Sequence, residues 1–183
     1  MELYPTGEVE SEENRELTEL TAQIPAPGFT LPAVTRQGEK QISLHDYRGK
    51  ASVVLYFYPK DDTPGCTAES CAFRDLLPDF LAAGSTILGI SPDDQASHLR
   101  FAEKHTLPFP LLADTDHAVA EAYGAWKEKV NYGKKYMGIE RTTFVIDQHG
   151  EIAKIYPRVK VEEHASKVLE FVRTLSSQVQ EES

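Results

Sequence analysis

The chain has 183 residues, 40% of them hydrophobic, with a formal net charge of −10 and a pI near 5.1. That length can bury a full core, and no stretch approaches the roughly 18 to 20 uninterrupted apolar residues of a membrane span. The acidity argues against nucleic acid or an anionic membrane as partner, since both need clustered positive charge.

The acidity is unevenly placed. Residues 1–22 carry seven Glu and one Arg, a net of −6, and Glu181 and Glu182 add −2, leaving −2 for residues 23–180. The first 22 residues are therefore expected to be an acidic, flexible or weakly helical extension, residues 23–177 one folded domain, and residues 178–183 a flexible tail. The N-terminal segment lacks the basic start and apolar core of a signal peptide and is opposite in charge to a transit peptide, so a cytoplasmic location is the expectation.

Further along, Val53-Val54-Leu55-Tyr56-Phe57-Tyr58 is β-branched and aromatic without polar alternation, which suits a strand buried on both faces. A turn and a helix start follow, with Thr63 as N-cap and Pro64 at the first helical position, where its missing N–H costs nothing. Ser85 to Ser91 reads as a second strand, and Gln95 to His105 as a helix with Ala96, Leu99 and Ala102 on its apolar face. A short strand or edge at Phe109-Pro110-Leu111-Leu112 and a brief helix from Ala118 to Tyr123 come next. Thr143 to Ile146 and Ile152 to Tyr156 flank Asp147-Gln148-His149-Gly150, a hairpin turn signal. The final helix spans Val161 to Leu175, with Val161, Ala165, Val168, Leu169, Val172 and Leu175 along one side. There is no internal repeat and no sign of a second domain.

Both cysteines lie directly after the first strand, in Pro59-Lys60-Asp61-Asp62-Thr63-Pro64-Gly65-Cys66-Thr67-Ala68-Glu69-Ser70-Cys71. Cys66 falls in the first turn of the predicted helix, where unpaired N–H groups and the positive end of the helix dipole favour a thiolate. Cys71 is five residues on, turned roughly 140° away and about 7.5 Å along the axis, too far for a relaxed disulfide in an intact helix. Two unrelated buried cysteines are the plain alternative. A zinc site would need two further ligands, and the six histidines show no paired ligand spacing, so neither metal nor cofactor is expected.

The run Pro59-x-x-x-Thr63-x-x-Cys66, extended to Thr-Pro-Gly-Cys-Thr-x-Glu-x-x-Cys, resembles the active-site signature of peroxiredoxins, specifically the PrxQ or bacterioferritin comigratory protein (Bcp) subfamily. Pro25 to Pro32 resembles the family's N-terminal entry, Tyr47-Arg48-Gly49-Lys50 the turn before the first core strand, and Tyr136 to Asp147 the strand carrying the family's arginine. The resemblance implies an α/β thioredoxin-like fold with a central mixed sheet flanked by helices. It also implies thiol-dependent reduction of hydrogen peroxide and organic hydroperoxides.

On this resemblance Cys66 is the peroxidatic cysteine, Cys71 resolves its sulfenic acid as an intramolecular disulfide, and thioredoxin or a similar dithiol restores the pair. Arg141 would offer a planar, permanently charged donor fork to sulfur and peroxide, Thr63 its hydroxyl, and Pro59 a shield against water. Two of these have competing roles, Thr63 as a helix cap only and Arg141 as a surface residue paired with Glu140 or a nearby Asp, while Glu69 reads as a solvated helix-face residue outside the catalytic set. A peroxide-sensing redox switch acting on a partner protein is the alternative function, and an inert binding module a third. A monomer is expected rather than a dimer.

Overall fold

β3 (Ser52–Phe57) is an inner strand of the main sheet in the computed structural model, which describes residues 23–182 and their side chains as far as Ser177. Its residues alternate between two apolar layers: Val53, Leu55 and Phe57 enter one, Val54, Tyr56 and Tyr58 the other. A strand buried on both faces accounts for the absence of polar alternation in its sequence. β4 (Ser85–Ser91) and β5 (Leu111–Ala113) continue from it in parallel, while β1 (Thr30–Thr35) and β8 (Thr142–Ile146) pair antiparallel at either side. With β2 (Gly38–Ser43) and β9 (Ile152–Tyr156) on the edges, the order is β2-β1-β5-β4-β3-β8-β9. This mixed, helix-flanked sheet is the thioredoxin-like arrangement that the sequence implied.

α1 (Pro64–Ala82) and α4 (His164–Glu182) cover one face through Phe73, Phe80, Ala165, Val168 and Val172, joined by Phe101 of α2 (Gln95–His105). The opposite layer is closed by Ala120 of α3 (Ala118–Ala122), Tyr123, and Ile42 and Leu44 at the end of the first hairpin. Gly89 in β4 keeps these layers compatible. A Cβ there would lie 2.8 Å from the Tyr56 hydroxyl and 2.9 Å from Leu111, so only glycine leaves room for the buried tyrosine.

Several expectations are corrected. The buried residues of α2 are His98 and Phe101, whereas Ala96 and Leu99 face solvent and Ala102 is only half-buried. The helix turns its histidine inward because that side chain finds hydrogen-bond partners there. The segment from Tyr136 to Asp147 is two strands rather than one: β7 (Lys134–Ile139) ends, Glu140 and Arg141 break the ladder, and β8 begins. Val161 precedes the final helix instead of opening it, and the helix runs past Leu175 to Glu182, through residues 178–182 that were expected to be a tail. Two further hairpins are present, β1–β2 and β6–β7, the latter formed by β6 (Trp126–Asn131) with β7 around a Tyr132-Gly133 turn whose two residues both have positive φ. Both contain polar, solvent-facing strands that carry no apolar alternation. The expectation for residues 1–22 lies outside the described residues. Among those described, no helix is long and apolar enough to cross a membrane.

Candidate active site

The chain leaves β3 at Tyr58, turns through Pro59 to Asp62 and enters α1 at Thr63. Thr63 is the N-cap by position, with an extended backbone (φ −87°, ψ 154°), and Pro64 opens the helix. The Thr63 hydroxyl makes no cap bond. It donates instead to the Lys60 carbonyl at 2.8 Å, closing the turn, and is not bonded to the Cys66 sulfur. Pro59 is half-buried at the start of this loop. Cys66 follows in the first helical turn with 1% of its surface exposed, and Cys71 is half-buried on the same continuous helix, both as free thiols.

Arg141 reaches this helix end because of sheet register. β8 pairs antiparallel with β3 so that Thr142 stands opposite Phe57, which puts the preceding residue beyond the C-terminal end of β3, beside the start of α1. Its carbonyl accepts from Val159 N–H at 2.9 Å, which holds the backbone at the break. The guanidinium then donates from Nη2 to Cys66 Sγ at 3.4 Å and from Nη1 to Glu69 Oε1 at 2.9 Å. Gly65 leaves room for this approach: a Cβ there would sit 3.1 Å from Nη2 and displace it by a few tenths of an ångström. Glu140, the competing partner, is bound to Lys127 at 2.9 Å.

Glu69 is the residue that sequence reasoning misplaced. Instead of a solvated position it occupies a buried one, 1% exposed, on the face formed by Cys66, Glu69, Ser70 and Phe73. That i, i+3, i+4, i+7 spacing was the signal available, obscured because two of its four members are polar. Burial pushes the Glu69 carboxyl up to about 7 against the opposing pull of Arg141. Oε2 has no hydrogen-bond partner and lies 4.0 Å from His164 Nε2, which is itself bonded to Thr143 Oγ1 at 2.8 Å. Burial, with Arg141 and Lys167 nearby, lowers His164 to about 4, so its ring is neutral near pH 7. For Arg141, burial works to lower the pKa but the Glu69 and Cys66 charges outweigh it, and the group stays protonated.

The arrangement offers a sulfur at a helix N-terminus, a cation aimed at it, and a second thiol one and a half turns away. Such a set can stabilise a thiolate and a developing oxyanion together. No cofactor is required for that chemistry.

Residues 22–155 match the AhpC/TSA family. The chain is 53% identical over 144 residues to a putative peroxiredoxin Bcp of Coxiella burnetii, covering 79% of this chain and 93% of that one. It is 50% identical over 151 residues to the peroxiredoxin Bcp of Bacillus subtilis, with 81% and 96% covered. Among solved structures, a Xanthomonas campestris bacterioferritin comigratory protein, described for its alkyl peroxide reduction activity, superposes with a TM-score of 0.75 at 40% identity, covering 81% of this chain and 92% of that one.

Proposed function

The chain belongs to the AhpC/TSA family, as a peroxiredoxin of the PrxQ or Bcp kind, and on that premise we propose that it is a thiol-specific peroxidase centred on Cys66. The observation that carries this reading is the guanidinium of Arg141, shared between Cys66 Sγ at 3.4 Å and Glu69 at 2.9 Å. An inert buried cysteine has no use for a cation brought to it from another strand.

In the proposed cycle the Cys66 thiolate attacks one oxygen of a hydroperoxide, the S–O bond forms as the O–O bond breaks, and the leaving oxygen takes up a proton to depart as water or an alcohol. Arg141 and the N–H groups of the first helical turn stabilise charge on sulfur and on the departing oxygen. Pro59 limits water entry, and Thr63, after turning its hydroxyl away from the Lys60 carbonyl, is the remaining donor to substrate. Cys71 then attacks the sulfenic sulfur, forming the S–S bond and releasing water. A dithiol such as thioredoxin reduces that disulfide and is itself oxidised to one. Hydrogen peroxide and organic hydroperoxides are the substrates, the reducing cytoplasm is the setting, and the chain acts as a monomer.

Intact mass after one equivalent of hydrogen peroxide tests the assignment. The native sequence is expected to lose two hydrogens with both thiols consumed, while Cys71→Ser keeps one added oxygen on Cys66; an unchanged native mass overturns the proposal. Sustained turnover with an excess of dithiol separates an enzyme from a sensor, which reacts once and signals.

A further inference from the structure

The loop between β3 and α1 is held by a polar knot that the cysteine chemistry does not use. Its centre is Asp61, buried between Pro59 and Thr63. Oδ1 accepts from the Tyr58 hydroxyl at 2.7 Å, and Oδ2 accepts from Ser97 Oγ at 2.8 Å and faces His98 Nδ1 at 2.7 Å. The Asp61 N–H donates to Asp93 Oδ2 at 2.8 Å, which also accepts from Ser91 Oγ at 2.7 Å.

His98 is fully buried, and its orientation is determined. Nε2 lies 2.8 Å from the Leu112 carbonyl, which can only accept, so Nε2 carries a proton and the ring is locked between β5 and the loop. One more proton lies between Nδ1 and Asp61. Asp61, Asp93 and His98 bring possible ligand atoms within 4.8 Å of one another, but Asp61 Oδ2, His98 Nδ1 and Asp93 Oδ2 each already have protein partners. The cluster is thus a closed hydrogen-bonded knot joining the loop to α2, β4 and β5.

The knot is placed to hold one wall of the site while the other moves. Disulfide formation needs the turns from Cys66 to Cys71 to open, yet Pro59 and Thr63 must return to the same place for each new peroxide. We propose that His98, acting through Asp61, is a positioning residue for the peroxide pocket, holding the Pro59–Thr63 loop against α2 and β5 while the start of α1 opens and recloses. This rests on the peroxidase reading above. His98 touches neither sulfur nor substrate.

The test compares His98→Leu with His98→Asn in the full chain. Asn places an amide N–H near the position of Nδ1 and so keeps the donor to Asp61, whereas Leu removes it. For each, the rate constant with hydrogen peroxide is measured beside the rate of Cys66 alkylation by iodoacetamide, which needs a thiolate but no ordered peroxide pocket. His98→Leu is expected to lose about tenfold or more in peroxide reactivity, with alkylation within about twofold of the native rate, and His98→Asn to recover most of the loss. Peroxide rates unchanged in His98→Leu overturn the proposal, as do equal losses in both reactions or no recovery with Asn. If His98→Leu does not fold, Asp61→Asn, with its hydrogen bonds partly retained, takes its place under the same criteria. Absence of peroxide turnover in the native chain would instead reject the peroxidase reading.

Discussion

Cys66, Arg141 and Glu69 form a hydrogen-bonded chain in which one guanidinium donates to both a sulfur and a carboxyl oxygen. The glycine beneath it is as much a part of that chain as the charged groups. Replacing Gly65 with Ala would push Nη2 away by a few tenths of an ångström from a contact already 3.1 Å from the added Cβ. Helix stability should be unchanged or raised by up to about 1 kcal/mol, since Ala is the better helix former. The expected outcome is therefore a protein with native or higher Tm and a peroxide rate reduced several-fold; an unaffected rate would show that the guanidinium position is not critical. Glu69 and His164 have opposite linkages to pH. Glu69 is raised from 4.5 to about 7, so the stability of its neutral form is full below 4.5 and is lost as pH rises to 7, at roughly 3 kcal/mol from 1.36 kcal/mol per pKa unit. His164 is lowered from 6.5 to about 4, so its contribution is full above 6.5 and is lost by a similar amount as pH falls through 4. Between these limits the two offset each other. Glu69→Gln removes one of them, and urea unfolding across pH 6.5 to 4 should show the variant losing stability on acidification relative to the native chain. Parallel curves would mean that Glu69 does not titrate in this range.

At the level of elements, α1 has to be two things. Its first turns hold Cys66, Glu69 and Ser70 inside, with Ser70 bonded to the Tyr56 hydroxyl at 2.9 Å, while Phe73 and Phe80 anchor the remainder in the apolar layer. Cys66 and Cys71 can join only if the first part opens, and opening it extracts Glu69 from Arg141 and Ser70 from Tyr56. Hydrogen exchange on the oxidised protein should show amides of residues 66–71 losing protection while those around Phe73 to Phe80 keep it. Equal protection in reduced and oxidised forms would contradict the disulfide. The same helix explains what sequence could and could not convey locally. The helix start at Pro64 and the cysteine in its first turn were legible because proline's fit to the first helical position is local. The burial of Glu69 was not, because a carboxylate inside a helix–sheet interface makes sense only once Arg141 is known to meet it there.

Across the whole molecule, the seven strands of the main sheet and the Cys66 site all fall within residues 30–156, whereas most of the net negative charge belongs to residues 1–22. A chain beginning at Gln23 should keep its Tm within about 2 °C and its peroxide rate within about twofold, read by calorimetry and stopped-flow kinetics. A large loss of either would give the acidic segment a structural or catalytic part. The amino-acid sequence by itself determined the buried strand before the cysteines, the helix that begins at Pro64, the strand from Ser85 to Ser91, and the C-terminal β-hairpin and helix, because periodicity, β-branching and turn residues act over a few neighbours. The two polar hairpins and the inward face of α2 escaped it, since charged edge strands and a satisfied buried histidine look like surface when read one segment at a time. The family resemblance already pointed Arg141 at Cys66; only the tertiary structure decided the register that brings it there from 75 residues away, the burial of Glu69 beneath it, and the tie between Asp61 and His98. Those contacts depend on strand register and on how helices lie across the sheet, and both are set by the packing of the entire core.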